Sequence, residues 1–314
     1  TMLTKQMEGC RVVEIKGKDV QVSCLGCTNS KWRKQEIYGD SQYILYLYAT
    51  SLCNAHCNFC SEKNYNRVEK KFESKKLAED LRELKEKDLL NKISITGGEP
   101  FLYVEKLNEI VNTVFDTIPD ANVSITTNGS FLDRIYQLEK LEKLSSIHVS
   151  RHHYSQEIND AIFGVSTATG QKLYDLNKYL KEGVLSLNCC LVKDNIDDYD
   201  DMMNYINVMN DQTGIDKIGF INLMGDSEYC RENRVDFSKI IYKIMSSEDS
   251  RVVNRYFHNT YCDCMTWLQK TESGGVVEAY WWEILESNSV VGKQFIYDTD
   301  NHLKVNFNPI QDLG

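Results

Sequence analysis

The sequence predicts an α/β protein with a parallel sheet, and three observations lead to this fold class. Six short apolar runs of strand length recur along residues 43–224, separated by charged segments of helical character. Parallel strands covered by helices read as near-continuous apolar runs. Right-handed crossovers between such strands curl the sheet into a barrel or partial barrel. Cysteine, glycine and asparagine motifs follow the ends of these runs, the edge where such barrels carry their functional residues.

The predicted elements follow one another in a regular order. Strands are expected at residues 43–48, 93–96, 122–127, 146–150, 185–192 and 217–224. Helices are expected at residues 75–90, 104–114, 132–144, 170–181 and 199–213, and in the first of them Leu77, Leu81 and Leu84 recur near the helical period. We expect this alternation to form one barrel domain over residues 40–226.

Two further segments flank the predicted barrel. Residues 10–24 alternate apolar and polar side chains around a turn at residues 16–18, which predicts a hairpin in an N-terminal extension, residues 1–39. Residues 227–314 break the strand–helix alternation and contain a helical stretch, an aromatic run at 280–282 and a second hairpin turning near residue 300. We expect this segment to form an α+β cap that closes the barrel.

The composition narrows the function classes. A chain of 314 residues can bury one large α/β domain with a smaller appendage. Its net charge of −10 argues against general nucleic-acid binding but leaves a nucleotide or RNA substrate open. No apolar run reaches the length of a membrane span and no signal peptide is recognisable, so we expect a cytoplasmic protein without a membrane partner. In that compartment, eleven cysteines favour metal binding over disulfides.

Three cysteines lie on one short loop directly after the first barrel strand. Cys53, Cys57 and Cys60 have Cys-x3-Cys-x2-Cys spacing, which brings three thiolates close enough to bind three irons of one cubane cluster. A cluster held only by protein uses four cysteines, so the fourth iron here is open to a small molecule. A zinc site and buried free thiols are the alternatives, although structural zinc sites usually combine paired cysteines into four ligands.

A second motif, Gly97-Gly98-Glu99-Pro100, follows the second strand. Together with the cysteine loop, in this order and one βα unit apart, it resembles the radical S-adenosylmethionine (SAM) superfamily. The resemblance implies a partial (β/α)6 barrel of the TIM type over residues 40–226, with the hairpin extension and the α+β cap attached to it.

The resemblance also implies the cofactors. Cys53, Cys57 and Cys60 would bind an oxygen-sensitive [4Fe–4S] cluster whose open iron is chelated by the amino and carboxylate groups of SAM. One electron, from a donor of the flavodoxin or ferredoxin type, would then release methionine and a 5′-deoxyadenosyl radical that takes a hydrogen atom from the substrate. The protein would orient the reactants and exclude solvent.

Near the cluster, the resemblance implies contacts between the glycine motif and SAM. Gly97 and Gly98 lack a Cβ, so their backbone can approach the methionine part of SAM and bind its ammonium group. Glu99 would close the turn. Phe59, directly before the third cysteine, lies where the family places an aromatic residue near adenine, and ordinary packing is the alternative.

The end of the fourth strand offers four polar residues. Ser150 and Arg151 match the place where the family binds the ribose and carboxylate of SAM, and a guanidinium can bind a carboxylate through two hydrogen bonds. His152 and His153 depart from what we expect of a generic member, and are candidates for shaping the substrate pocket or for proton transfer. The alternative is a histidine satisfied by its surroundings at the pocket rim.

Four further residues complete the predicted site. Asn188 is polar within an apolar run and needs a partner if buried, either a ribose hydroxyl of SAM or a backbone group. A similar argument makes Asn128 a SAM contact. Met224 ends the sixth strand, where adenine commonly packs, and core filling is the alternative. Cys189 and Cys190 read as core residues of a buried strand, but one of them faces the barrel interior, and we take Cys190 as the candidate hydrogen donor.

Cysteines outside the barrel could bind a second metal. Two pairs make a complete set of four ligands, and an auxiliary [4Fe–4S] cluster, zinc and free thiols are the alternatives. The pairs are Cys24 with Cys27 and Cys262 with Cys264, and Cys10 and Cys230 could replace a member.

Taken together, the motifs predict a radical SAM enzyme that acts on a small polar metabolite, such as a sugar, nucleoside or amino-acid derivative. A maturase that modifies a ribosomally made peptide is the alternative within the family. A non-catalytic iron–sulfur or zinc protein is the alternative from another class, but it gives Gly97, Gly98 and Glu99 no purpose.

Overall fold

The structure is a computed structural model that describes residues 10–23, 43–224, 227–246, 249–257, 264–282, 294–306 and 310–314. The strands in these residues are β1 (Cys10–Ile15), β2 (Lys18–Ser23), β3 (Ile44–Tyr48), β4 (Lys92–Thr96), β5 (Val123–Thr127), β6 (Ser146–Ser150), β7 (Leu185–Cys190), β8 (Lys217–Ile221), β9 (Val252–Phe257), β10 (Met265–Lys270), β11 (Val276–Trp282), β12 (Gln294–Tyr297), β13 (Leu303–Val305) and β14 (Gln311–Asp312). The helices are α1 (Ser74–Glu86), α2 (Val104–Thr117), α3 (Gln156–Phe163), α4 (Gly170–Tyr179), α5 (Tyr199–Thr213), α6 (Glu228–Asn233) and α7 (Ser238–Met245). Short 3-10 turns lie at Ser61–Asn64, Pro100–Tyr103, Leu132–Gln137 and Leu141–Lys143.

A sheet of 12 strands forms the centre of the molecule, in the order β14-β13-β12-β3-β4-β5-β6-β7-β8-β11-β10-β9. From β3 to β8 the neighbours are consecutive in sequence and parallel, as βαβ units require. Among the described strands β3 and β8 pair with other partners and not with each other, so the barrel stays open on one side. The predicted α/β fold with a partial barrel is confirmed.

The central strands alternate between an apolar and a polar face, which differs from the expected near-continuous apolar runs. Leu45, Ile95 and Ile147 are at most 1% exposed and belong to one core with the helices that cover the sheet. The opposite, concave face lines the barrel interior and therefore need not be apolar. Its side chains include Tyr46, Ser94, Ser124, Thr126, Ser146, His148, Ser150, Ser186 and Asn188.

The segment at residues 132–144, expected to be one helix, is instead a pair of 3-10 turns. A 3-10 helix has about three residues per turn, whereas an α-helix has about 3.6. The spacing of the buried side chains matches the former, because they recur at every third position: Leu132, Ile135, Leu138, Leu141 and Leu144.

Both ends of the chain attach to the barrel. Strands β1 and β2 form the expected hairpin, which docks on α1 through an ion pair between Lys16 and Asp80. At the other end, β12 pairs in parallel with β3, and β11 pairs in parallel with β8. An open barrel has two unpaired edges, and strands of the C-terminal segment cover both.

The second expected hairpin is also present, since β12 pairs antiparallel with β13. No helix in the described part of the chain has the length and apolar character that crossing a bilayer requires.

A buried ion-pair network joins the turn of this C-terminal hairpin to the segment after the cysteine loop. Arg67 donates to Glu62 and to Asp298 at 2.7 Å each, and its guanidinium lies 3.7 Å from the ring centroid of Tyr48. Lys304 pairs with Asp298 at 2.8 Å. The side chains of Arg67 and Asp298 are each 5% exposed, so both charges depend on these partners.

We expect Asp298→Ala to lower the free energy of unfolding by about 3 kcal/mol, because Arg67 would lose a partner for its buried charge. The pair between Lys140 and Asp116 is a matched control: Asp116 is 74% exposed. Asp116→Ala is expected to cost less than about 1 kcal/mol. Chemical denaturation measures both losses, and equal losses would contradict a stabilising role for the buried network.

Candidate active site

The three cysteines of the loop after β3 lie together at the carboxyl edge of the sheet. Cys53 is exposed, Cys57 and Cys60 are half-buried, and all three are free thiols. Within the loop the Cys60 N–H donates to the Cys57 carbonyl at 3.3 Å. The His56 N–H donates to the Phe163 carbonyl at 2.8 Å, which anchors the loop to the end of α3.

The thiols form a donor set that fits an iron–sulfur cluster. Burial, and then the neighbouring Cys60 and Cys53, raise the pKa of Cys57 to about 12. Three thiolates on one loop repel one another, and bound cations offset that repulsion. The Ala55 N–H and the Asn128 amide lie 3.4 Å and 3.8 Å from Cys53 Sγ, positions from which they can donate to a cluster thiolate.

Gly97 and Gly98 bring the end of β4 against the backbone of the cysteine loop. The Gly98 N–H donates to the Thr50 carbonyl, and the Glu99 N–H donates to the Leu52 carbonyl, each at 2.8 Å. A Cβ on Gly97 would lie 2.3 Å from the Thr50 oxygen, and one on Gly98 would lie 1.9 Å from the Leu52 oxygen. The close approach in this structure is to the chain's own loop, and the contact with SAM stays a prediction.

Glu99 is fully buried, and its carboxylate joins the ends of two strands. It accepts from Thr127 Oγ1 and from Asn128 N at 2.7 Å each, and from Phe101 N at 3.0 Å. Burial raises the pKa of Glu99, although these three donors oppose the shift. The motif alone indicated that Glu99 closes a turn, but it could not reveal Thr127 as its partner on β5.

Asn128 links β5 to the cysteine loop. Its Nδ2 donates to Asn54 Oδ1 at 3.1 Å, and its Oδ1 accepts from the Ser130 N–H at 2.8 Å. With Cys53 Sγ also near Nδ2, the side chain contacts the first of the three loop cysteines. Its contact with SAM stays a prediction.

Arg151 is 2% exposed, and its guanidinium holds the loop after β6. It donates at 2.8–3.2 Å to Gln156 Oε1 and to the carbonyls of His153, Tyr154 and Ala168. Four of its five N–H groups are therefore used within the protein. Binding the SAM carboxylate, as predicted, would require Arg151 to release some of these partners.

Ser150 and Asn188 lie opposite each other in the register of β6 and β7. Both side chains are half-buried on the concave face. The Tyr280 hydroxyl, on β11, donates to Asn188 Oδ1 at 2.8 Å. Sequence reasoning missed this partner because no local pattern links residues on strands so far apart along the chain.

His152 is 5% exposed and packs between the rings of Phe59 and Phe163, with centroid distances of 5.1 Å and 4.8 Å. Its ring Nδ1 accepts from the Cys190 backbone N–H at 3.0 Å. The backbone N–H of His152 donates to Asn159 Oδ1 at 2.8 Å. Burial lowers the pKa of His152 to about 3, so the ring is neutral with its proton on Nε2. Phe59 therefore packs against His152, and its contact with adenine stays a prediction.

His153 is 9% exposed, and its Nδ1 accepts from the Ser155 N–H at 2.9 Å. Burial, and then the charge of Arg151, lower the pKa of His153. These contacts agree with the alternative of a histidine satisfied by its surroundings. A catalytic role stays a prediction for both histidines.

Cys190 lies two residues after Asn188 and so on the same, concave face of β7. It is 3% exposed and packs with Phe59, Leu223 and Cys230. Burial raises the pKa of Cys190, with Cys230 and Cys57 adding to the shift, so the thiol is protonated. A hydrogen donor needs that state, and the role itself stays a prediction.

The remaining predicted residues lie at or beyond the limits of the described chain. Met224 is half-buried and directly precedes residues that the structure does not describe. Cys24, Cys27 and Cys262 lie outside the described residues, whereas Cys264 is described and buried. The auxiliary metal site stays a prediction.

Changing Cys53, Cys57 and Cys60 together to Ala is expected to remove about four irons per chain, the content of one cubane cluster. Iron, sulfide and zinc analysis of the anaerobically reconstituted protein and of this variant measures the loss. Residual iron of about four per chain would assign a second cluster to the other cysteines, and residual zinc would assign them a structural metal. Retention of all the iron would contradict the ligand assignment.

The buried His152 and the half-buried His148 predict acid sensitivity. Burial lowers the pKa of both His148 and His152 to about 3, with Lys92 and Lys217 adding to the effect at His148. An unfolded chain has histidine pKa values of about 6.5. Between about 3 and 6.5 the unfolded state therefore binds two protons that the folded state excludes, and stability falls as the pH decreases.

From pH 7.5 to 5.5, each of these histidines is expected to contribute a loss of about 1.4 kcal/mol. Chemical denaturation at both pH values measures the total, and His148→Gln and His152→Gln should each reduce the pH dependence by that amount. An unchanged pH dependence in both variants would contradict the assignment of neutral rings at both positions.

Comparisons with known proteins identify the family of this chain. The model of the radical SAM superfamily matches residues 47–206, just over half of the chain. The chain is similar to a probable GTP 3′,8-cyclase of Methanococcus aeolicus, 25% identical over 215 residues that cover 67% of this chain and 69% of the relative. It is also similar to the GTP 3′,8-cyclase of Aquifex aeolicus, 31% identical over 131 residues, or 41% of each chain.

Among solved structures, the chain is similar to Streptococcus suis SuiB bound to S-adenosylmethionine, at 19% identity and a TM-score of 0.47. That similarity covers 61% of this chain and 42% of SuiB, and the match to the Aquifex enzyme likewise spans less than half of the relative's length. The family match coincides with the strands, the cysteine loop and the glycine motif described above. The chain belongs to the radical SAM superfamily, whose enzymes use a [4Fe–4S] cluster and SAM.

Proposed function

We propose that this enzyme acts on a small polar metabolite of the nucleotide class, bound against the concave face of the barrel. The observation that carries the proposal is the polar character of that face beside the cysteine loop. Ser94, Thr126 and Ser150 offer hydroxyl groups there, and Asn188 offers an amide. Such groups pair with the hydroxyls and carbonyls of sugars and bases, whereas an apolar ligand would leave them unpaired.

The relatives support the nucleotide class. Both bear the name GTP 3′,8-cyclase, and the matches span 69% and 41% of their lengths. Because the matches are partial, a nucleotide substrate for this chain is a proposal built on that similarity and on the polar face together.

When bound, the cluster and SAM supply one-electron cleavage of the sulfonium bond and a carbon radical that removes a hydrogen atom from the substrate. The chain's residues hold and enclose these groups. Cys53, Cys57 and Cys60 bind the cluster, and the contacts of Gly98 and Glu99 fix the loop that carries them. Phe59 packs edge-on against His152 and Phe163 stacks on it, and these rings exclude water from the side of the site next to the cysteine loop.

The electron donor is part of the same proposal. Cys53 is exposed, so the cluster would lie near the protein surface, within reach of a docked flavodoxin or ferredoxin. Single-turnover reduction of the cluster by each protein, followed by absorbance, tests the two donors.

The substrate is tested by the rate of 5′-deoxyadenosine formation. Anaerobically reconstituted protein receives dithionite and SAM, with a nucleoside triphosphate, the matching nucleoside, a free sugar or a peptide library added separately. We expect one nucleotide to raise the rate at least about tenfold over SAM alone, because substrate binding is coupled to the chemical step. Deuterium on the sugar of that nucleotide should appear in the 5′-deoxyadenosine.

Two outcomes overturn the proposal. Stimulation by peptides alone would favour the maturase alternative. Stimulation by the free sugar or nucleoside but by no nucleotide would mean that the substrate is a small polar metabolite without a phosphate group. Cys57→Ala, treated in the same way, is the control for SAM cleavage that does not depend on the cluster.

A further inference from the structure

A chain of hydrogen bonds crosses the concave face from β6 to β11 and ends at Asn188. Ser146 Oγ lies 3.1 Å from His148 Nε2, and His148 Nδ1 lies 2.5 Å from Ser186 Oγ. Burial raises the pKa of Tyr280, and a side-chain hydrogen bond with Ser186 opposes that shift. The Tyr280 hydroxyl in turn lies 2.8 Å from Asn188 Oδ1. Five side chains from three strands are thereby joined into one relay, in which Ser186 is buried and the other four are half-buried.

A glycine makes this crossing sterically feasible. Gly219 on β8 lies between Asn188 and Tyr280 in the parallel register of the sheet. A Cβ on Gly219 would lie 2.2 Å from a ring carbon of Tyr280. The phenol therefore lies directly over the β8 backbone and reaches β7, which any side chain at position 219 would obstruct.

The charges at the base of the barrel favour one direction of donation along the relay. Lys92 and Lys217 begin β4 and β8, and their charges, together with the larger effect of burial, keep His148 neutral. Polar hydrogens in the relay are more stable when they point away from these cations. Ser146 then donates to His148, which donates to Ser186, and the last hydroxyl, on Tyr280, donates to Asn188.

This direction leaves the amide nitrogen of Asn188 for a ligand. Its Oδ1 is occupied by Tyr280, and within the described part of the chain its Nδ2 has no hydrogen-bond partner. The side chain is half-buried on the concave face, opposite Ser150. Cooperative polarisation along the relay strengthens the last donor of such a chain.

We propose that Tyr280 is a positioning residue that holds Asn188 Oδ1, so that the Asn188 NH2 group faces the barrel interior and donates to a sugar oxygen of a bound ligand. The inference rests on the proposed use of the concave face for binding. SAM and a nucleotide substrate both present such an oxygen, and the two arms of the experiment separate them.

The first arm measures SAM binding to the anaerobically reconstituted full chain by equilibrium dialysis, without any substrate. Tyr280→Phe keeps the ring over Gly219 and removes only the hydroxyl, and we expect it to weaken SAM binding about 3- to 10-fold, the effect of one hydrogen bond. Asn188→Asp should weaken it at least as much, since a carboxylate has no N–H to donate. Tyr242→Phe, at a tyrosine on α7 that is 76% exposed, is the matched control and should leave the affinity unchanged.

A double variant separates positioning from general packing. If Tyr280 acts through Asn188, adding Tyr280→Phe to Asn188→Ala should weaken SAM binding no further. Additive losses would overturn the inference, because they would mean that Tyr280 supports the fold independently. Wild-type SAM affinity together with a wild-type nucleotide response in Asn188→Asp would also overturn it, since the Asn188 NH2 group would then donate to neither ligand.

The second arm measures the nucleotide concentration that gives half-maximal 5′-deoxyadenosine formation. A 3- to 10-fold increase in Tyr280→Phe with unchanged SAM affinity would assign the oxygen to the substrate. Unchanged SAM affinity with an unchanged or absent nucleotide response would overturn the inference. If nucleotides fail to stimulate the wild type, the proposed nucleotide substrate is wrong. The measurement of SAM binding still decides the role of Tyr280 in that case.

Discussion

Gly98→Ala is expected to abolish cluster binding in an otherwise folded protein. The added Cβ would lie 1.9 Å from the Leu52 carbonyl oxygen and 2.9 Å from the Cys53 nitrogen, and both atoms belong to the backbone of the cysteine loop. Neither can move without displacing the loop, because the neighbouring Glu99 N–H is bonded to the same Leu52 carbonyl. We expect the iron content after reconstitution to fall by about tenfold or more, since a cluster tolerates only small displacements of its ligands.

Gly170→Ala is the matched control for this experiment. Gly170 begins α4, and a Cβ there would meet only the flexible side chain of Gln212, at 3.2 Å. Alanine is favoured over glycine in a helix by about 1 kcal/mol, so this variant should keep its iron and its stability. Circular dichroism establishes that both variants are folded. Full iron content in Gly98→Ala would mean that the loop is not held in the position described.

Glu99→Ala is the second change expected to have a large effect. It removes the acceptor of three buried donors on Thr127, Asn128 and Phe101, each of which costs about 1–3 kcal/mol when left unpaired. A loss of about 3 kcal/mol or more is a large part of the stability of an ordinary domain. Because Asn128 contacts the Cys53 thiol, we expect the variant to lose cluster as well as SAM cleavage.

Glu99→Gln is expected to cause a smaller loss of the same kind. An amide can still accept from two of the three donors but must present its NH2 group to the third, so the loss should be about one third as large. Glu86→Ala, at an exposed position on α1, controls for the loss of a carboxylate. Thermal unfolding and iron content are measured on all three variants. A normal iron content in Glu99→Ala would contradict a role for this side chain in holding the cluster, and would leave it a role only in SAM cleavage.

The barrel and the position of the cysteine loop could be predicted from the sequence because their signals are local. The cysteine spacing and the strand–glycine–glycine–glutamate turn each lie within ten residues, and both appear at the carboxyl edge of the sheet as expected. The polar concave face was missed because an isolated serine or threonine does not reduce the apolar character of a short run. Only the paired registers reveal that Ser94, Thr126 and Ser186 share one surface.

Long-range partners were beyond the reach of sequence patterns. Arg151 was predicted to bind a carboxylate from its place after β6, and its carbonyl partners in the following loop depend on how that loop folds back. In the same way, no spacing connects Gly219 with Tyr280, although the absence of a Cβ at one decides where the ring of the other can lie. These contacts follow from the tertiary structure alone.

The pairing of β12 with β3 has a consequence for the order in which the protein forms. Leu45 precedes the cysteine loop by a few residues, and its partner in the sheet is Phe295. During synthesis, a ribosome must add about 250 residues after Leu45 before this edge of the barrel can be completed. Contacts so distant along the chain are slow to form, and the open edge of β3 is exposed to mispairing until they do. A cluster inserted into the nascent chain would therefore bind to a loop whose preceding strand, β3, is paired with β4 but not yet with β12.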